Sequence, residues 1–187
     1  MTARLDRAFA AVPREPFLPP DQRRFAGVDH ALPIGYDVTN SQPSTVRTML
    51  ELLDARPGDR VLDVGCGSGW TTALLAELVG RAGSIAGVEI VPEVLALSAA
   101  NVGDAPGIEL HLAESGVLGW PAGAPYDRIL VSADAAELPD ELVTQLSPGG
   151  VLVGPVRGEM LRVRRRPGEP PGVERHGRYV FVPLRSV

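Results

Sequence analysis

Two acids and a run of glycines carry most of the chemistry this sequence can offer. Asp63 opens the segment Asp63-Val64-Gly65-Cys66-Gly67-Ser68-Gly69, in which three glycines alternate with other residues. Glycines so spaced give a turn with positive φ and let a ligand touch the backbone. The stretch 69–79 has helical periodicity, so the turn leads into a helix N-terminus of partly positive charge. Beyond it the apolar run SIAGVEI ends in Glu89 and Ile90. A carboxylate at a strand end, about 20 or more residues past a glycine turn, can accept hydrogen bonds from ribose hydroxyls. An adenosine-bearing cofactor at the carboxyl ends of the strands is the expectation.

Asp63 narrows the choice of cofactor. The dinucleotide pattern is G-x-G-x-x-G, whereas this turn reads G-x-G-x-G. A carboxylate beside the ligand repels a pyrophosphate and suits a cation, such as the amino group or sulfonium of S-adenosyl-L-methionine. A methyl donor is therefore favoured over a nicotinamide dinucleotide, and a dehydrogenase is the remoter reading. The alternative for Asp63 is a cap on the local turn. The candidate cofactor-binding residues at this point are Asp63, Gly65, Cys66, Gly67, Ser68, Gly69, Glu89 and Ile90.

These residues need a framework, and the pattern of the chain supplies one. RVLDVG, SIAGVEI, IELHLAE, YDRILVSAD and VLVGPV read as buried strands, with helices expected over 69–79, 92–101 and 139–146. Strand–helix alternation with short connections implies a parallel sheet covered on both faces. MLRVRRR and RYVFVPLR follow without an intervening helix, so they are expected to pair antiparallel as a hairpin around the Pro/Gly-rich 167–172. Pro148-Gly149-Gly150 reads as a turn. Upstream, residues 44–53 form a helix with Val46, Met49, Leu50 and Leu53 on one face, and the proline-studded 1–43 forms an arm with short helical pieces. The expected division is therefore an arm or cap over 1–43, contributing to the active site, and a cofactor-binding region over 44–187, within one structural domain.

Composition excludes several classes. With 187 residues, the chain is one domain by length. Eighteen basic against 23 acidic residues leave a net charge of −5, so no nucleic-acid partner is expected. Every basic residue other than histidine is arginine, a bias read as genome base composition rather than as function. Arg164-Arg165-Arg166 reads as a charged sheet edge rather than a phosphate-binding patch. A single cysteine forbids an internal disulfide and a multi-cysteine zinc site. No apolar stretch approaches the ~18 residues of a membrane span, and the first residues lack the core of a signal peptide. A cytoplasmic protein with no membrane partner is the expectation. Its oligomeric state is open.

Motifs spread over nearly the whole chain resemble those of the protein-L-isoaspartate O-methyltransferase family. They are Val12-Pro13-Arg14, Phe17-Leu18-Pro19, Leu32-Pro33-Ile34-Gly35, Thr39 with Ser41-Gln42-Pro43, Gly119-Trp120, Ala124-Pro125-Tyr126-Asp127, Pro148-Gly149-Gly150 and Phe181-Val182-Pro183-Leu184. Ser41-Gln42-Pro43 is the most specific. The resemblance implies a Rossmann-like, seven-stranded class I methyltransferase fold, a mostly parallel sheet with a C-terminal antiparallel hairpin. It implies S-adenosyl-L-methionine as methyl donor and the carboxylate of an isoaspartyl residue in a protein or peptide as acceptor. It places Ser41, with Thr39, beside the reacting centre, and it aligns Glu114 and Ser115 with the adenine side. His30, His111 and His176 belong to no motif and read as structural or surface residues.

Three positions depart from the family pattern. Asp37-Val38-Thr39 stands where relatives read Gly-Gln-Thr, Ser115 replaces an aspartate, and Ala133-Asp134-Ala135-Ala136 replaces Ala-Ala-Ala-Pro. Asp37 and Asp134 would bring two carboxylates near an acceptor that is itself anionic, unless both face solvent. That leaves open another peptide or small-molecule acceptor, with Asp134 as general base, or a non-catalytic ligand-binding role.

Overall fold

The computed structural model describes residues 2–185. Its centre is a seven-stranded sheet in the order β5-β4-β3-β6-β7-β8-β9. The strands are β3 (Arg60–Val64), β4 (Ser84–Glu89), β5 (Ile108–Leu112), β6 (Tyr126–Val131), β7 (Leu146–Val156), β8 (Glu159–Arg164) and β9 (Gly172–Arg178). The pairs from β5 through to β7 are parallel, and β7-β8 and β8-β9 are antiparallel. β1 (Leu32–Gly35) and β2 (Val38–Asn40) form a separate antiparallel hairpin. The helices are α1 (Thr2–Ala11), α2 (Pro43–Leu53), α3 (Trp70–Val79), α4 (Pro92–Val102) and the short α5 (Asp140–Thr144).

β3 shows why the central strands carry few polar residues. Val61 packs into the cluster formed with α1, α2 and α3, while Leu62 and Val64 pack into the opposite cluster with Leu142 and Leu146. Alternate side chains of a strand point to opposite faces, so a strand covered on both sides is apolar on both. Val46, Met49, Leu50 and Leu53 of α2 are all buried, as their spacing predicts. β3 is also the point where the strand order reverses, with β4 on one side and β6 on the other. In open α/β sheets the crevice beyond the strand ends at such a point is the binding place.

The structure differs from the sequence expectations at the ends of the chain. The arm begins with a ten-residue amphipathic helix, α1, whose Leu5 and Ala8 are buried against the core. Tyr36 and Asp37 form the two-residue turn between β1 and β2, with φ of 55° and 58°. Such a turn is easiest for Asn-Gly, so a tyrosine and an aspartate hold it under strain. Pro148-Gly149-Gly150 lies inside β7 as an irregularity, because Tyr126 pairs with Leu146 and Arg128 already with Val151. The last strand is GVERHGR rather than RYVFVPLR. Residues 179–185 leave the sheet ladder, with a bridge between Asp134 and Pro183 and a hydrogen bond from the Tyr179 N–H to the Gly158 carbonyl tying them back to it. The arginine run is not an edge either, since β8 lies between β7 and β9. Arg162 donates to the Leu52 carbonyl at 2.8 Å, and Arg165 donates to the carbonyls of Thr144 and Leu146. These arginines brace the sheet against its helices.

Candidate active site

A cleft of about 1160 Å³ opens at the carboxyl ends of the parallel strands, between the arm and residues 178–185. Its floor is the turn from Gly65 to Ser68. Gly65, Gly67 and Gly69 have φ of 75°, 56° and 85°. At Gly67 a Cβ would meet nothing nearer than 4.0 Å, so conformation alone requires glycine there. At Gly69 a Cβ would come within 2.7 Å of Ser98 Oγ and 2.9 Å of a Val102 methyl, so packing against α4 requires it too.

Glu89 fastens this turn. Its Oε2 accepts the Gly67 N–H at 3.0 Å, and its Oε1 accepts the N–H groups of Ile90 and Val91 at 2.8 and 3.1 Å. A carboxylate oxygen has two acceptor sites, so Oε1 is filled and Oε2 retains one. Glu89 and Ile90 both line the cleft, and a ribose hydroxyl fits that remaining site.

Asp63 sits beneath the turn rather than in the cleft wall. It is fully buried; Oδ2 accepts the Thr72 hydroxyl at 2.7 Å, and Oδ1 has no partner. Burial pushes its carboxyl up to about 7; the Thr72 hydrogen bond opposes that shift and the Glu89 charge adds to it. Burial likewise lifts the Cys66 thiol well above its usual value. The acceptor site left on Glu89 suits a ligand that brings a ribose, whereas Asp63, buried beneath the turn and outside the cleft lining, does not meet the ligand as the sequence suggested. That acceptor site fits the ribose of S-adenosyl-L-methionine.

The arm supplies the opposite wall. Asp37, Thr39 and Ser41 line the cleft, with Asp37 and Thr39 exposed at its rim. Two residues without an expected role hold this wall: Arg14 and Asn40. Arg14 donates to the carbonyls of Val28, His30, Asn40 and Ser41 at 2.8–3.1 Å and to Asn40 Oδ1 at 2.7 Å. Asn40 in turn donates to Ser68 Oγ at 3.0 Å. The guanidinium lies 5.5 Å from the centre of the Trp70 ring, and burial lowers its pKa to about 10, against the pull of Asp29. A buried Arg14–Asn40–Ser68 bridge therefore joins the arm to the glycine turn. The Val-Pro-Arg motif was the available signal for it. His30 is exposed beside the cleft, and its carbonyl is one of those that Arg14 holds. His111 stacks on Trp120 at 3.9 Å between ring centres.

Three expected site residues stand apart. Glu114 and Ser115 lie in an exposed turn after β5, and the cleft is lined instead by Ala113 and 116–119. Gln145 fixes that segment, accepting from the Trp120 N–H at 3.0 Å and donating to the Leu118 carbonyl at 2.8 Å. Asp134 does not line the cleft; both carboxylate oxygens accept the Gly158 N–H, at 3.0 and 3.1 Å. Its carboxylate is committed to a turn, which corrects its expected place in the wall.

A Rossmann-like sheet with a glycine turn at its switch point and an acid closing the next strand is the framework of the class I methyltransferases. The model of the family "Protein-L-isoaspartate(D-aspartate) O-methyltransferase" matches residues 1–187, and the chain belongs to that family. A protein-L-isoaspartate O-methyltransferase of Pyrococcus horikoshii is 40% identical over 187 residues, covering 97% of this chain and 84% of the relative. A solved protein-L-isoaspartate O-methyltransferase superposes with a TM-score of 0.88 at 25% identity, covering 98% of this chain and 61% of that one. A Plasmodium falciparum structure described as this enzyme in complex with S-adenosyl-L-homocysteine gives 0.84 at 22% identity, over 98% of this chain and 91% of that one, which bears on the fold alone. Among the described residues, no helix is long and apolar enough to cross a membrane, and no group of three or more His, Cys, Asp or Glu is placed to hold a metal.

Proposed function

We propose that the protein transfers a methyl group from S-adenosyl-L-methionine to the free carboxylate of isoaspartyl residues in proteins or peptides, within the cytoplasm. The observation that carries this reading is the single cleft in which Gly65, Gly67 and Glu89 face Thr39 and Ser41, in a chain of this family. When bound, S-adenosyl-L-methionine supplies a sulfonium-borne methyl group, which passes to the acceptor carboxylate as sulfur keeps the C–S electron pair.

A carboxylate with a reference pKa of about 4 is already a nucleophile at neutral pH, so the chain need not take a proton from it. Its task is alignment, for which orientation alone is worth roughly 7–11 kcal/mol. Glu89 and the Gly65–Ser68 turn hold the adenosyl side, with Gly69 setting the helix against α4. Asp63 supports the turn from beneath through its hydrogen bond with Thr72. Thr39 and Ser41 face the acceptor, and Arg14 fixes them relative to Ser68.

Incubation with methyl-labelled donor and an isoaspartyl peptide is expected to give a base-labile methyl ester, absent from the aspartyl isomer. If the donor binds but only a base-stable product forms, or only a small-molecule acceptor is methylated, this reading is wrong.

A further inference from the structure

The carboxylate of Asp134 is the strongest feature the catalytic reading leaves unused. It follows β6, near the cleft floor, yet it points at the β7-β8 turn. That turn is Arg157-Gly158, with φ of 53° and 73°, and both Asp134 oxygens share the Gly158 N–H. The carbonyl of the same residue matters as much. The Gly158 carbonyl accepts the Tyr179 N–H at 2.9 Å. Tyr179 begins the irregular segment 179–184, all of which lines the cleft. The main chain of Asp134 grips the far end of that segment. Its N–H donates to the Val182 carbonyl at 2.8 Å, and its carbonyl accepts the Leu184 N–H at 2.8 Å. One residue thus meets the segment at both ends, through its backbone and through Gly158.

Between those anchors the segment has little else. Among the described residues, its backbone makes those three hydrogen bonds to the body of the protein, and Val180 is fully exposed. Tyr179 and Phe181 pack only partly against the core. We propose that Asp134 is a positioning residue that staples 179–184 across the acceptor side of the cleft. Its carboxylate holds the N–H of Gly158, and the carbonyl of Gly158, in the next peptide unit, holds Tyr179. This rests on the proposed acceptor reaction only for its kinetic consequence; the staple itself is a property of the free protein.

The test pairs Asp134→Ala with Asp134→Asn. Asparagine keeps an oxygen acceptor for the Gly158 N–H and loses the ability to take a proton. Hydrogen exchange read by mass spectrometry in 179–184 is expected to quicken about tenfold in Asp134→Ala and to stay near the parent rate in Asp134→Asn, with β3 unchanged in both. KM for an isoaspartyl peptide is expected to rise about tenfold in Asp134→Ala alone, with the affinity for S-adenosyl-L-homocysteine within about twofold. Unchanged exchange in Asp134→Ala overturns the staple. So does an Asp134→Asn protein with parent-like exchange and lost turnover, which is the signature of a base and also decides the matter if the alanine variant fails to fold. If the parent methylates no isoaspartyl peptide, the proposed function fails and the exchange comparison still judges the staple.

Discussion

On the donor side of the cleft Glu89 is 3% exposed and holds three backbone amides, whereas on the acceptor side Asp37 and Thr39 are exposed and Val180 wholly so. The first wall is made by strand ends and a helix start, positions that the core already fixes. The second is made by a strained hairpin turn and an irregular segment pinned at few points. A donor that is the same molecule in every turnover suits a preorganised pocket. A damaged site in many different proteins suits walls that adjust. The walls are not independent, because Arg14 and Asn40 tie the arm to Ser68.

Breaking that tie has the largest expected effect. Arg14→Met strips the buried Asn40 carbonyl and side-chain oxygen of the Arg14 donor, together with the part-buried Ser41 carbonyl, and an unsatisfied buried group costs about 1–3 kcal/mol. A loss of roughly 3 kcal/mol or more in urea unfolding is expected. A loss under about 1 kcal/mol would mean that the two walls stand separately.

Glu89→Ala tests the donor wall alone. It strips the acceptor from the N–H groups of Gly67, Ile90 and Val91 and from the proposed ribose contact. Affinity for S-adenosyl-L-homocysteine, read by calorimetry, is expected to fall about 100-fold. KM for the acceptor is expected to change little in comparison.

Asp63→Asn sharpens the same wall through pH. Burial raises the folded carboxyl to about 7, while the unfolded value is near 3.9. The folded state therefore binds the proton more tightly, and the stability this gives is lost as pH rises from about 4 to 7. The ligand-free protein is expected to lose on the order of a few kcal/mol across that window, and Asp63→Asn to flatten the dependence. Urea unfolding at several pH values from about 4 to 8 reads it. A parent curve that is flat over that range would show that Asp63 is not held neutral.

The contrast between the walls also governs how much the sequence disclosed. The donor wall was legible because each of its parts obeys a local rule: an apolar strand, glycines at positive φ, an acid where the next strand ends. β9 was not, since GVERHGR is a wet edge strand and needs no apolar period to pair with β8. RYVFVPLR looked like a strand because its apolar residues face the core and cleft, but Asp134 and Gly158, not a sheet ladder, take its hydrogen bonds. The fixing of the arm by Arg14 joins residues 26 and 27 positions apart, beyond any local pattern. Asp134 was legible as an unusual acid and not by its direction, which depends on where the β7-β8 turn comes to rest.

The smallest expected effect belongs to Asp37, and it tests whether the acceptor wall acts through charge. The side chain is exposed at the rim, held there by a turn with φ of 58°. An anionic acceptor approaching it meets like charge, but water and salt screen such a pair to about 1 kcal/mol or less. Asp37→Asn is therefore expected to lower KM for an isoaspartyl peptide by up to about fivefold at low ionic strength, with the gain vanishing near 1 M salt. Because asparagine tolerates positive φ, the turn itself is kept and the charge alone is varied. Equal KM for parent and variant at every salt concentration would leave shape, not charge, as the means by which this wall meets its substrate.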